Sequence, residues 1–279
     1  AWLENVRPVG GANARAVPAP TTVQTLTGEV VVSAIGVNIN NVDYNICFTV
    51  SGAGYQVLAA SPYTSVKFAN AGTFSASGVT AAQWKNERVL ILDTAKGYFD
   101  WNTAVLTTIS VPTIGTSIAT FSGRVWIANG RTLQFTDVNS YNSFAGAGGS
   151  LTITDSILRS NIKQLLNANN FLYIYGSNCV YVIGDVRVSA GITVYTLTNL
   201  TASVGTAMPM SVIPYGREIL FQTRYGMYSQ KGAIPVKISD HIDGTVDLID
   251  YTQPVSAGQV IIFKQLCAVF SFTYLDPVA

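Results

Sequence analysis

A single histidine, His241, limits this chain's imidazole chemistry to one place. It stands in "SDHID" with Asp240 and Asp243 beside it, and Asp247 and Asp250 follow. Imidazole and carboxylates are metal ligands, so a metal site is one reading of this stretch. The other is a loop between structural units, with Ser239 or Asp240 capping a short helical turn. The second reading fits the surroundings better, because residues 239–252 read as a short helix or an acidic loop. No GxSxG elbow accompanies the histidine, and no HExxH is present.

Paired carboxylates would be the next route to chemistry. A glycosidase needs two of them across a cleft, one with a raised pKa. The candidates Asp93, Asp100, Asp137 and Asp185 lie in or after strand-like segments, spread along the chain, with no arginine cluster to match. The S-x-D-x-G-x-T-W box of sialidases is absent, and the "GAGGS" run lacks the spacing and the following Lys-Ser/Thr of a phosphate loop. Asn199-Leu200-Thr201 matches a glycosylation sequon, a match common by chance. Trp84, Trp101 and Trp126 could line a lectin pocket, though packing between sheets is the commoner fate of such residues. Cys47, Cys179 and Cys267 are odd in number and widely spaced. They form neither a disulfide framework nor a zinc CxxC pair and read as small buried hydrophobes. The expectation is therefore no catalytic residue, no metal and no cofactor.

What would position such residues is a repeat. The segment "RVWIANGRTLQFTD", residues 124–137, consists of strand-formers, a tight polar turn and strand-formers again. The same shape appears in "NICFTVSGAGYQV" (45–57), "RVLILDTAKGYFDW" (88–101), "FLYIYGSNCVYVIG" (171–184) and "EILFQTRYGMYSQ" (218–230), and it opens once more at Leu266. The starts at 45, 88, 124, 171, 218 and 266 are 36 to 48 residues apart. The turns carry Gly or Asn, which supply the positive φ that hairpin turns need. A further short strand precedes most hairpins: "SIATFSG", "IKQLLNANN", "MSVIPYG" and "QVIIFKQ". Each unit thus holds at least three antiparallel strands, with room for a fourth.

That period is the blade of a β-propeller. The expected fold is all-β, a propeller of about six blades over residues 23–279, preceded by an extended arm at residues 1–22 with Pro8, Pro18 and Pro20. The last blade, begun at Leu266, is unfinished at Ala279. Either the N-terminal strands complete it or the chain is part of a longer one. The Gly-, Ser- and Asn-rich stretches 140–152 and 198–207 read as loops. The apolar pairs Ile46/Phe48, Leu90/Leu92, Val125/Ile127, Leu172/Ile174, Ile219/Phe221 and Cys267/Val269 are predicted to be buried between blades.

Charged residues make up 11 % of the chain, against the roughly 25 % usual in globular proteins, and the net charge is +1. Scattered Lys and Arg argue against a nucleic-acid grip through a basic patch. The low charge suggests surface covered by partner chains. The longest apolar run, residues 260–275, is interrupted by Lys264 and Gln265, so no membrane span is expected.

The succession "FSGRVWIANGRTLQFTDVNSYNSF", "LLNANNFLYIYGSNCVYVIGD" and "VIPYGREILFQTRYGMYSQKGAIPVKISDHI" resembles the tail hub, or nozzle, proteins of short-tailed bacteriophages. The opening "ENVRPVGGANARAVPAP" is similar to their extended start. The likeness spans roughly residues 80–279 and is a pattern of hairpins without a chemical signature, so no binding residue carries over. It implies a non-enzymatic virion protein, assembled in the host cytoplasm into a homo-oligomeric ring. Its partners would be the portal and adaptor and the tail fibre or needle proteins, and DNA would pass through without sequence-specific binding. The alternative is a carbohydrate-acting or carbohydrate-binding propeller, glycosidase or lectin-like, against which the sparse chemistry speaks. A eukaryotic interaction propeller is disfavoured because the Gly-His and Trp-Asp repeat signatures are missing.

Overall fold

The computed structural model describes residues 22–206, 208–240, 243–253, 255–262 and 265–275, together with the short strands β1 (Val6–Pro8) and β2 (Ala14–Ala16). These two strands pair antiparallel and are what is described of the segment expected as an arm.

Five sheets of four antiparallel strands follow in chain order. Blade one is β3 (Val31–Ile39), β4 (Val42–Thr49), β5 (Gly54–Leu58) and β6 (Ser65–Ala69). Blade two is β7 (Thr80–Trp84), β8 (Arg88–Asp93), β9 (Gly97–Trp101) and β10 (Leu106–Ile109). Blade three is β11 (Ser117–Phe121), β12 (Arg124–Asn129), β13 (Thr132–Phe135) and β14 (Gly149–Thr152). Blade four is β15 (Gln164–Ala168), β16 (Phe171–Tyr175), β17 (Val180–Ser189) and β18 (Ile192–Thr201). Blade five is β19 (Ile213–Tyr215), β20 (Glu218–Thr223), β21 (Gly226–Lys231) and β22 (Ile234–Lys237). The short helix α1 (Asp243–Val246) leads to a sixth sheet of two described strands, β23 (Ser256–Ile262) and β24 (Gln265–Ser271).

The hairpins read from the sequence are the second and third strands of each of the first five blades. Their turns are local necessities. Gly52 sits at φ +78°, and a Cβ there would lie 2.2 Å from the carbonyl oxygen of Phe74, so the β4–β5 turn requires glycine.

The six innermost strands share one axis. Ala34 of β3, Ala81 of β7, Ala119 of β11, Leu166 of β15, Ile213 of β19 and Ala257 of β23 border a single axial cavity of about 300 Å³. This is a β-propeller, with five four-stranded blades and a smaller sixth sheet among the described residues. Glutamine side chains fasten neighbouring inner strands by imitating a peptide unit. Gln83 Oε1 accepts from the amide of Asn38 at 2.9 Å, and its Nε2 donates to the Asn38 carbonyl at 2.7 Å. Gln164 does the same to Val212, at 3.3 and 3.1 Å.

Apolar seams fill the spaces between blades, because both faces of a blade must be covered. Val37, Ile46 and Phe48 meet Val89, Ile91 and Trp101 between blades one and two. Leu90, Leu92 and Tyr98 meet Ile118, Val125 and Ile127 in the next seam. Trp126, Leu133 and Phe135 meet Leu165, Leu172 and Ile174, and Tyr173, Tyr175 and Val182 meet Val212, Ile219 and Phe221. Met208, Val246, Ile249 and Val255 form a cluster in the connections that precede blade five and lead on to β23. Among the described residues, no such cluster joins the sixth sheet to blade one.

That asymmetry corrects one expectation. The first five predicted pairs are buried, but Cys267 is half-buried and Val269 is 47 % exposed. Among the described strands β24 pairs only with β23, and its far side has no covering blade. Cys47 is also half-buried, on the face of blade one that turns away from blade two. The two loop assignments need correction as well. Gly149–Thr152 is β14, and residues 198–201 belong to β18. These outermost strands carry Thr and Ser where one side meets solvent, which gave them a loop-like composition.

Candidate functional site

The carboxylates singled out in the sequence are held in structural roles. Asp93, at the end of β8, is fully buried and accepts hydrogen bonds from Ser75 N (2.5 Å), Ser75 Oγ (2.7 Å), Ala95 N (2.9 Å) and Lys96 N (3.0 Å). Burial alone would raise its pKa, but these donors outweigh burial and hold the carboxyl below its ordinary value. Asp100, in the same blade, pairs with Arg88 at 2.6 Å, and the Arg88 guanidinium lies 4.1 Å from the centre of the Tyr141 ring. This group borders a polar cavity of about 440 Å³ with Asn102, Thr107, Thr108 and Asn142. Asp137 accepts from the amide of Val138 at 2.7 Å, and exposed Asp185 pairs with Arg187. No two of the four share a partner, and nothing in this arrangement resembles an acid beside a nucleophile.

His241 lies outside the described residues. Of its neighbours, Ser239 accepts from the amide of Met227 at 3.0 Å across blade five, and Asp240 pairs with Lys237 at 3.3 Å. Asp250 accepts from the amide and hydroxyl of Thr252. Among the described residues no group of three His, Cys, Asp or Glu side chains could hold a metal ion.

Trp84, Trp101 and Trp126 are buried in seams, and Trp126 Nε1 donates to the Phe121 carbonyl at 3.1 Å. They do not form a lectin pocket. Burial, followed by the charge of Asp155, pushes the Cys179 thiol up to about 11, so it stays protonated and unreactive at neutral pH. Arg124 is a buried cation that sequence reasoning passed over. Its Nη1 donates to the carbonyls of Thr136 (2.5 Å) and Ala147 (3.1 Å), and its Nη2 has no partner. Desolvation lowers its pKa.

A second cavity, of about 350 Å³, opens between blades four and five. Lys163, just before β15, and Arg224, in the β20–β21 turn, border it together with Ser177, Ser203, Tyr225 and Tyr228. Its wall is tight at Gly205, where a Cβ would sit 2.2 Å from the Gly176 carbonyl oxygen and 2.8 Å from the Asn178 amide nitrogen.

The comparisons with known proteins agree with the fold. No family model matches the chain, and no curated protein matches it in sequence. Among solved structures it is similar to PorZ, an essential bacterial surface component of the type-IX secretion system of Porphyromonas gingivalis. The TM-score is 0.54 at 11 % identity over 89 % of this chain and 33 % of that one. It is also similar to the extracellular domain of the putative hybrid two-component system BT4673 of B. thetaiotaomicron. There the TM-score is 0.51 at 15 % identity, over 78 % of this chain and 29 % of that one. The chain thus spans about a third of the length of either protein, and identities this low define the fold alone. The class is that of the β-propellers.

Proposed function

We propose that this propeller is a non-catalytic structural protein of a bacteriophage tail hub or nozzle, working in the virion as a ring of copies. The ring would adjoin the portal and adaptor, bear fibre or needle proteins, and let DNA pass without reading its sequence. The order of hairpins from "FSGRVWIANGRTLQF" to "VKISDHI" supports the assignment. The observation that carries the assembly is the sixth sheet. Val269 (47 % exposed) and Val260 (39 %) share the face turned away from blade five, beside a seam that no buried cluster of described residues fills, and Ile261 (72 %) and Leu266 (40 %) stand exposed on the opposite face. Apolar side chains left uncovered in this way gain by being covered at an interface. The engagement of Asp93, Asp100, Asp137 and Asp185 in turns and ion pairs supports a protein without a paired-carboxylate acid–base site.

The test is native mass spectrometry on purified particles, with crosslinking from blade six. The expected result is several copies of the chain in a closed ring with other tail components. A chain absent from purified particles, or a free monomer in the functional state, would overturn the reading.

A further inference from the structure

We propose that the cavity between blades four and five binds an acidic saccharide, with the sugar carboxylate held by Lys163 and Arg224. This inference does not depend on the virion reading, because it rests on one cavity and the groups around it.

The first argument is charge. The cavity is bordered by one lysine and one arginine and by no aspartate or glutamate. Among the described residues, neither cationic side chain takes part in an ion pair, a hydrogen bond or a ring contact. Arg88, Arg187 and Arg124 are, by contrast, engaged: with Asp100, with Asp185 and with two carbonyls. Two uncommitted cations on one concavity, with no acid between them, favour an anion. A planar guanidinium matches a carboxylate through two parallel N–H bonds.

The second argument is the remainder of the wall. Ser177 and Ser203 bring hydroxyls, and Tyr228 and Tyr225 bring a phenol each, the Tyr228 ring being stacked on Phe221 and Tyr225 being 79 % exposed at the cavity's edge. Hydroxyls and amphipathic rings suit a polyhydroxylated ring that has both polar edges and an apolar face. The volume, about 350 Å³, fits a ligand of one or two sugar rings. A nucleic-acid backbone fits less well, since it needs a row of cations along a groove, and here there are two in one concavity.

The third argument is rigidity. The floor is the β16–β17 turn, which the 203–206 loop presses through Gly205 and through the bond from Thr206 N to the Gly176 carbonyl at 2.9 Å. Asn178 Nδ2 donates to the Ile157 carbonyl at 2.9 Å, fixing the turn from the other side. The site is therefore formed before any ligand arrives.

The experiment uses the full chain and isothermal titration with four probes. They are glucuronic acid, glucose, inorganic phosphate and a short single-stranded oligodeoxynucleotide. Glucuronic acid is expected to bind at least tenfold more tightly than glucose and than phosphate. Arg224→Gln and Lys163→Gln should each weaken it at least tenfold, roughly the loss of one charge-assisted hydrogen bond. Arg224 is exposed on a turn, so its variant retains the fold, checked by an unchanged melting curve. A Tyr225→Ala variant reads the ring contact separately and should weaken glucuronic acid without affecting any residual phosphate binding. Glucuronic acid and phosphate binding equally would reduce the cavity to a simple oxyanion site and overturn the saccharide. Preferential binding of the oligonucleotide, or of none of the probes, would overturn the proposal outright.

Discussion

Replacing Asp93 by asparagine perturbs the most heavily bonded carboxylate described in the fold. Asparagine is nearly the same size, so packing in blade two is kept. Its oxygen can stand where Oδ1 stands and still accept from Ala95 N, Lys96 N and the Ser75 hydroxyl. Its amide nitrogen then stands where Oδ2 stands, 2.5 Å from the Ser75 amide nitrogen, so donor faces donor. One charge-assisted bond is lost and a buried N–H is left without an acceptor. Together these cost about 2–3 kcal/mol. The sign with pH follows from the lowered pKa of Asp93. Its stabilisation is complete above the unfolded carboxyl value of about 3.9 and is lost as pH falls through the lower folded value. Urea unfolding followed by fluorescence of the buried tryptophans at pH 7 and at about pH 2.5 measures both effects. The variant should lie about 2–3 kcal/mol below the parent at pH 7, and the gap should narrow in acid because the parent loses what the variant never had. A variant within about 0.5 kcal/mol of the parent at pH 7, or a gap unchanged in acid, would refute the reasoning.

Ile127→Ala or Ile174→Ala should cost about 2–5 kcal/mol in the same unfolding assay, since each side chain is wholly buried in a seam that can collapse only partly. Thr132→Ala should cost under about 1 kcal/mol, because its hydroxyl only shares a 2.8 Å contact with Thr152 at an exposed edge. Gly52→Ala should lower stability by about 2 kcal/mol or more, through positive φ and the clash with the Phe74 carbonyl, measured as a drop in melting temperature.

The blade hairpins were legible because two rules coincide in them. Runs such as Val89-Leu90-Ile91-Leu92 are buried on both faces, so they read as unbroken apolar stretches, and a turn with Gly or Asn follows each at a fixed distance. The outer strands were legible only as room for a fourth. In β18 exposed and half-buried positions alternate, and its Thr and Asn residues carry the same composition as a loop. The glutamine fasteners were not legible at all. Gln83 and Asn38, or Gln164 and Val212, are more than forty residues apart and belong to different blades, so only the ring brings them together. The cavity of Lys163 and Arg224 escaped for the same reason. Its residues come from the start of one blade, the turns of two, and the linker between them.

Among the described residues, the polar groups engaged inside the propeller and the groups left open on its surface fall in different places. Inside, most of the buried polar side chains hold backbone: Asp93 ties a turn and Arg124 ties a loop, while half-buried Gln83 and Gln164 tie blade to blade. Two features of the described surface bear on the proposals above. One is the apolar surface of the sixth sheet beside blade one, which gains by being covered. The other is the cationic concavity between blades four and five, which gains by taking an anion. The two lie at different seams of the ring, so a partner on the sixth sheet would leave the cavity open, and the proposed assembly and ligand binding would be compatible in one molecule.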